Sequence, residues 1–155
     1  MSHIVTGGGT FRDVVENVNN VLKNGIKFKA SDFLSYLPDL SGGGLVGTPT
    51  IATEFVRGVP EDRGRAHHHL AVTVEVWYLF VEFGDKRKKE EFDERILNMM
   101  DVLIEKRELD GLSRDAWPEE VGFFETPYQD RTVGVGRIRH VVSIERNISP
   151  AVPRD

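Results

Sequence analysis

LAVTVEVWYLFVEF, residues 70–83, followed after Gly84 and Asp85 by KRKKEEFDERILNMMDVLIEKREL, residues 86–109, reads as a strand that turns into a long helix. Side chains alternate across a strand, so Leu70, Val72, Val74, Val76, Tyr78 and Phe80 share one face. In the following segment Phe92, Ile96, Met99 and Leu103 recur at steps of four, three and four, which lines them up as one stripe of a helix. A strand with a continuous apolar face and a helix with an apolar stripe bury each other when the turn between them is short. This pair is the expected core.

Working outward toward the N-terminus, FRDVVENVNNVLKN at residues 11–24 carries Phe11, Val14, Val15, Val18, Val21 and Leu22 at helical spacing. Thr10 precedes it as N-cap with Asp13 three residues on, and Asn24-Gly25 provides the stop, since both residues tolerate the left-handed conformation. TIATEFV from Thr50 is β-branched and reads as a strand to Val59. It pairs with the Leu70 strand through the polar connection PEDRGRA, residues 60–66. Between these, FLSYLPDL reads as a short helical turn closed by Pro38, and SGGGLVGTP as a loop.

Toward the C-terminus, residues 111–130 hold Pro118 and Pro127 among Trp117, Phe123, Phe124 and Tyr128, and read as an ordered connection with a short strand near Val121. TVGVGRIRHVVSIER at residues 132–146 is a last strand with Ile138, Val142 and Ile144 on one face. Gly134 and Gly136 within it mark a bulge or a close backbone approach. The expected fold is α+β: about four mostly antiparallel strands with two helices on one face, in the order helix, hairpin, helix, strand. The domain spans residues 10–146, with a flexible lead at 1–9 and a flexible tail at 147–155.

The chain has 155 residues, a formal net charge of −5 and no cysteine. One domain of this length buries roughly 70% of its unfolded surface and needs no metal or disulfide for stability. Without cysteine there are no disulfides, zinc thiolates or thiol nucleophiles. MSHIVTGGGT lacks the charged and apolar regions of a signal peptide, and no stretch has the length of a membrane span, so a soluble, cytoplasmically made protein is expected. The acidic balance argues against a binder that grips nucleic-acid phosphates.

His67, His68 and His69 suggest a metal site, because alternate residues of a strand point the same way and imidazole is a common ligand. No carboxylate or further histidine lies beside them in sequence, and His140 would have to arrive through the fold; a solvated hairpin end is the plainer reading. GGGTFRD lacks the Lys-Ser/Thr of a P-loop, and GVGRIRH has Arg139 where a dinucleotide fingerprint needs glycine. Lys86, Arg87, Lys88 and Lys89 open the long helix against its macrodipole, offset in part by Asp85, Glu90 and Glu91; they form a solvated helix end or a contact for an acidic partner. No hydrolytic signature is present, so no catalytic residue, cofactor or metal ligand is assigned.

The second face of the Leu70 strand becomes apolar toward its end. Trp77, Leu79 and Val81, with Phe83, Phe123 and Phe124 as neighbours, would form a patch too large to leave in water. Self-association would bury it; the alternative is that the segment from Phe33 to Leu45 folds across it.

Taken together, FRDVVENVNNVLKN, TIATEFV, LAVTVEVWYLFV, EEFDERILNMMDVLI and VGRIRHVVSIER resemble, in their order, the tail-terminator (tail-completion) proteins of long-tailed bacteriophages. The resemblance covers most of residues 10–146. It implies a non-enzymatic virion protein that forms a hexameric ring, caps the tail tube, and joins the tail to the head connector or stopper while DNA passes through its lumen. It implies three partners: further copies of itself, the tail tube protein and the connector, with no membrane. The patch Trp77, Leu79, Val81, Phe83, Phe123 and Phe124 would then be the subunit interface. Gly43, Leu45 and Val46 in one loop, with Arg63 and Arg65 in the other, would meet neighbouring rings. Other readings are a different neck component, a small dimeric binding protein joined through the Trp77 face, and a metal enzyme using His67, His69 and His140.

Overall fold

The computed structural model describes residues 11–38, 49–61, 67–81, 86–107, 115–128 and 131–147. Helix α1 (Phe11–Gly25) is followed by strands β1 (Asp32–Leu34), β2 (Thr50–Pro60) and β3 (His67–Val81), helix α2 (Lys86–Glu105), and strands β4 (Asp115–Tyr128) and β5 (Arg131–Asn147). The five strands form one sheet in the order β1-β2-β3-β5-β4. Only β1 and β2 run parallel; the other neighbours are antiparallel. The protein is therefore α+β with a mixed sheet and two helices.

The two longest strands, β3 and β5, lie side by side and pair without interruption from His67 opposite Asn147 to Val81 opposite Val133. Residues directly opposite share a face, so the even-numbered residues of both strands line one side. Leu70, Val72, Val74, Val76, Tyr78 and Phe80 meet Ile138, Val142 and Ile144 there. Val14, Val15, Val18, Val21 and Leu22 of α1, with Phe92, Ile96, Met99, Val102 and Leu103 of α2, cover them. Both apolar stripes read from the sequence are thus buried on the same face, except Phe11, which is exposed.

Helix α2 packs tightly over Gly136. A Cβ at that position would overlap Cδ1 of Ile96 and stand 3.2 Å from Cζ of Phe92. The glycine serves close approach and not a bulge, because the β3–β5 pairing runs through it unbroken. Arg95 ties the same helix down: its guanidinium donates to the Tyr78 hydroxyl at 2.9 Å, pairs with Glu91, and lies over the rings of Phe28 and Phe80. Burial pushes the Tyr78 hydroxyl up to about 12, against the opposing pull of Arg95.

Two expectations are corrected. Phe33 and Leu34, expected in a helical turn, belong to β1 instead. Phe33 packs against the core, Asn19 Nδ2 of α1 donates to the Leu34 carbonyl at 3.0 Å, and Ser31 N donates to Pro49 O at 2.7 Å. Three residues are too few to show a strand period, and tertiary partners decide them. Residues 115–128, expected as a connection with a short strand, form the long edge strand β4. Its prolines are tolerated because an edge strand pairs on one side only, and Pro118 sits at a register shift next to Glu120. The sheet therefore has five strands and the order helix, strand, hairpin, helix, hairpin.

Candidate assembly surfaces

The odd-numbered side of β3 and β5 faces away from both helices, and the pairing places its side chains in rows across the sheet. Thr50, Leu79, Val135 and Phe124 form one row; Ala52, Trp77, Arg137 and Gly122 the next; Glu54, Glu75, Arg139 and Glu120 the third; Arg57, Thr73, Val141 and Trp117 the fourth. An apolar band thus lies next to a charged one. Glu75, whose side chain is 14% exposed, sits 3.2 Å from Arg139 and 3.5 Å from Arg137; Arg137 also reaches Glu120 at 2.9 Å. The guanidinium of Arg137 covers the Trp77 ring at 6.0 Å, and Phe124 meets that ring edge-on at 6.2 Å. Nε1 of Trp77 and Nε of Arg139 are buried donors with no hydrogen-bond partner among the described residues.

This arrangement corrects the single patch expected from the sequence. Leu79 is fully buried with Val133 and Val135, and Leu37 packs over them beside the half-buried Trp77. The segment after Phe33 therefore does fold across part of this face. Phe123 lies on the opposite side of the sheet, where its ring packs on Phe92 at a centroid distance of 5.3 Å, because consecutive residues of β4 point opposite ways. Among the described side chains of that patch, only Trp77 and Phe124 remain together as an outward pair. The side chain of Val81, and Phe83, Gly43, Leu45, Val46, Arg63 and Arg65, lie outside the described residues.

Most of the exposed apolar surface among the described residues lies instead at the two edges of the sheet, with Tyr36, beyond β1, exposed apart from them. Phe55, Val56 and Val59 on β2, and Trp117, Val121, Phe123 and Phe124 on β4, are all exposed; Trp117 and Phe123 reach 53%. Phe11 of α1 stacks on Phe55 at 4.3 Å, and Leu97 of α2 joins Val121 and Phe123 around a groove of about 270 Å³. None of the large exposed apolar side chains among the described residues belongs to β3 or β5. Strand β1 covers only Thr50, Ile51 and Ala52, which leaves the rest of β2 without an outer partner among the described residues. Each edge carries one register shift, between Phe55 and Arg57 on β2 and between Pro118 and Glu120 on β4. Such shifts mark bulges with Val56 and Glu119 as the extra residues. Arg57 and Glu119, neither of which stood out in the sequence, form no side-chain ion pair among the described residues.

The histidines do not converge. His69 lies 3.4 Å from Glu145 on the outward face, whereas His140 sits on the helix side, opposite Val74 and Pro118, with 0% exposure. The sheet separates them, so a centre built on His69 and His140 together is ruled out by the register. The side chains of His67 and His68 lie outside the described residues. No group of three or more potential metal ligands occurs among the described residues. Both ring nitrogens of His140 lack a partner among the described residues, and burial lowers its pKa to about 4. No helix among the described residues is long and apolar enough to cross a membrane. The sequence matches no protein-family model and none of the curated proteins.

Proposed function

We propose that this chain is a structural subunit that acts by assembling with copies of itself, as a ring-forming tail terminator at the head-to-tail junction of a long-tailed phage. The observation that carries the reading is the clustering of most of the large exposed apolar residues among those described at two unlike sheet edges, Phe55 to Val59 on one side and Trp117 to Phe124 on the other. Soluble monomers rarely keep contiguous apolar patches uncovered, and two different patches on opposite sides suit head-to-tail contacts between identical copies.

The resemblance rests on an N-terminal helix, the β2–β3 hairpin and a strand leading into a charged helix; the fold contains these elements, with β1 and β4 added to the expected order. In this reading the ring caps the tail tube and holds the connector or stopper, and DNA passes through the lumen. The net charge of −5 suits a passage through which a polyanion slides instead of binding.

Light scattering and negative-stain imaging of the purified protein, alone and mixed with isolated tail tubes, test the proposal. Rings with an open centre that bind tube ends are expected. A chain that stays monomeric at high concentration and leaves tube ends bare would overturn it. A two-fold dimer that ignores tubes would favour the binding-protein alternative.

A further inference from the structure

The uncovered edge of β2 and the start of α1 lie together. β1 pairs with β2 only at Thr50, Ile51 and Ala52, so from Thr53 to Pro60 the strand has no outer partner among the described residues. Helix α1 begins over this stretch: the Phe11 ring stacks on Phe55 at 4.3 Å, and a Cβ at Gly58 would stand 3.0 Å from the same ring. Farther along α1, Asn19 accepts from Thr53 Oγ1 and donates to the Leu34 carbonyl. The helix therefore runs antiparallel to β2, and the chain that precedes Phe11 meets the sheet where β1 is absent. The chain after β1 does not fill that place either, because Leu37 packs with Leu79, Val133 and Val135 on the outward face.

Residues 1–10 lie outside the described residues, and their sequence suits this edge. Ile4, Val5 and Thr6 are a β-branched run, and Gly7, Gly8 and Gly9 follow, whose backbone no side chain restricts at a reversal. From Thr6 to Phe11 the chain spans at most about 18 Å, against about 4.8 Å between neighbouring strands, so the edge is within reach of its own chain. We propose that residues 3–6 dock on the β2 edge of the same chain as a sixth strand, parallel to β2 and in line with β1. Set beside Arg57 to Val59, residues 4–6 stay clear of β1, whose last pair is Leu34 with Ala52. Consecutive residues of a strand face opposite ways, so Ile4 and Val5 supply one apolar side chain to each face. One joins the exposed Phe11 and Phe55 on the helix side, and the other joins the exposed Val59 on the outward side. Covering an apolar edge in this way guards a subunit against indiscriminate strand pairing. A neighbouring copy that uses β2 needs the same edge, so assembly there requires the strand to leave; this consequence rests on the assembly reading above, and the docking does not.

The test compares the full chain with one lacking residues 2–6 and with the double substitution Ile4→Pro, Val5→Pro. The double substitution keeps the length and must remove one bond to β2, because consecutive amides of a strand point to opposite sides. Hydrogen exchange is read by mass spectrometry at a dilution where sedimentation velocity finds monomers. Residues 4–6 of the full chain are expected to be protected. Either change is expected to speed exchange in residues 55–59 about tenfold or more while β3 and β5 stay as they were. Exchange of residues 4–6 at the rate of an unstructured peptide, or no response in residues 55–59, would overturn the docking and leave the assembly reading untouched. Protection of residues 4–6 that arises only where the chain assembles would also overturn it, since a second copy would then supply the strand. The shortened chain is further expected to half-assemble at a concentration about tenfold lower. If exchange responds and assembly does not, the docked strand stands and β2 is not an assembly edge.

Discussion

Lowering the pH toward 5 should unfold this protein more readily, and His140 should account for an identifiable share of the loss. Its ring lies wholly buried on the helix side of β5, both nitrogens lack partners among the described residues, and burial lowers its pKa to about 4 in the folded state. In the unfolded chain a histidine titrates near 6.5. The unfolded chain therefore gains a proton as pH falls below that value while the folded chain does not. The stability tied to neutral His140 is complete above about pH 6.5, shrinks as pH falls, and is gone below about 4. The full difference corresponds to about 3 kcal/mol, of which about 2 kcal/mol has been lost at pH 5.

Urea unfolding at one protein concentration, at pH 7.5 and pH 5, reads this when the native protein is compared with His140→Leu. Leucine fills a similar volume and does not titrate, so carboxylates shared by both proteins cancel in the comparison. The variant should lose about 2 kcal/mol less than the native protein between the two pH values. It should also be more stable at pH 7.5, since two unsatisfied buried nitrogens are gone. Equal pH-dependent losses, or an imidazole that titrates near 6.5 in the folded protein by NMR, would refute the account.

Two further outcomes follow from packing and polar contacts. Gly136→Ala should cost about 1–3 kcal/mol by overpacking against Ile96 and Phe92. Combined with Ile96→Val, which removes the overlapping methyl, the loss in a urea-unfolding cycle should fall below the sum of the two single losses. Asn19→Ala should cost about 1–3 kcal/mol, because the buried amide accepts from Thr53 Oγ1 at 2.6 Å and donates to the Leu34 carbonyl at 3.0 Å. Amide exchange in β1 should rise in that variant while β3 and β5 stay protected; uniform loosening of all strands would argue against a local role.

What the sequence disclosed follows from how far each pattern runs. The even-numbered residues of β3 and the stripes of α1 and α2 repeat often enough to identify strand, helices and their buried faces, and all but the exposed Phe11 are found in one core. β1 escaped because three residues show no period. β4 escaped because its alternation changes phase: Ala116 and Pro118 face the helices, then Val121 and Phe123 do, on the other side of the bulge at Glu119. Read as one strand with a phase change, residues 115–128 would have been recognisable. The same shift in β2 moves the helix-facing positions from Phe55 to Gly58. The grouping of Phe123 with Trp77 failed for a related reason: adjacency in composition says nothing of which side of an edge strand a residue occupies.

The central position of β5 bears on the order in which the chain can fold. β3 and β4 share no ladder and are joined within the sheet only through β5, whose residues pair with β3 partners from 52 to 80 positions earlier in the chain, as at Val81 with Val133 and His67 with Asn147. A nascent chain that has emerged only as far as β4 therefore holds a β1-β2-β3 sheet with an open inner edge and a separate strand with nothing to pair with. Such long-range pairing is slow to form and leaves strand edges open to other chains in the meantime. Completion of the sheet is expected after synthesis of β5, so conditions that prolong that interval, such as crowded polysomes, would divert chains into aggregates without altering the stability of the finished protein.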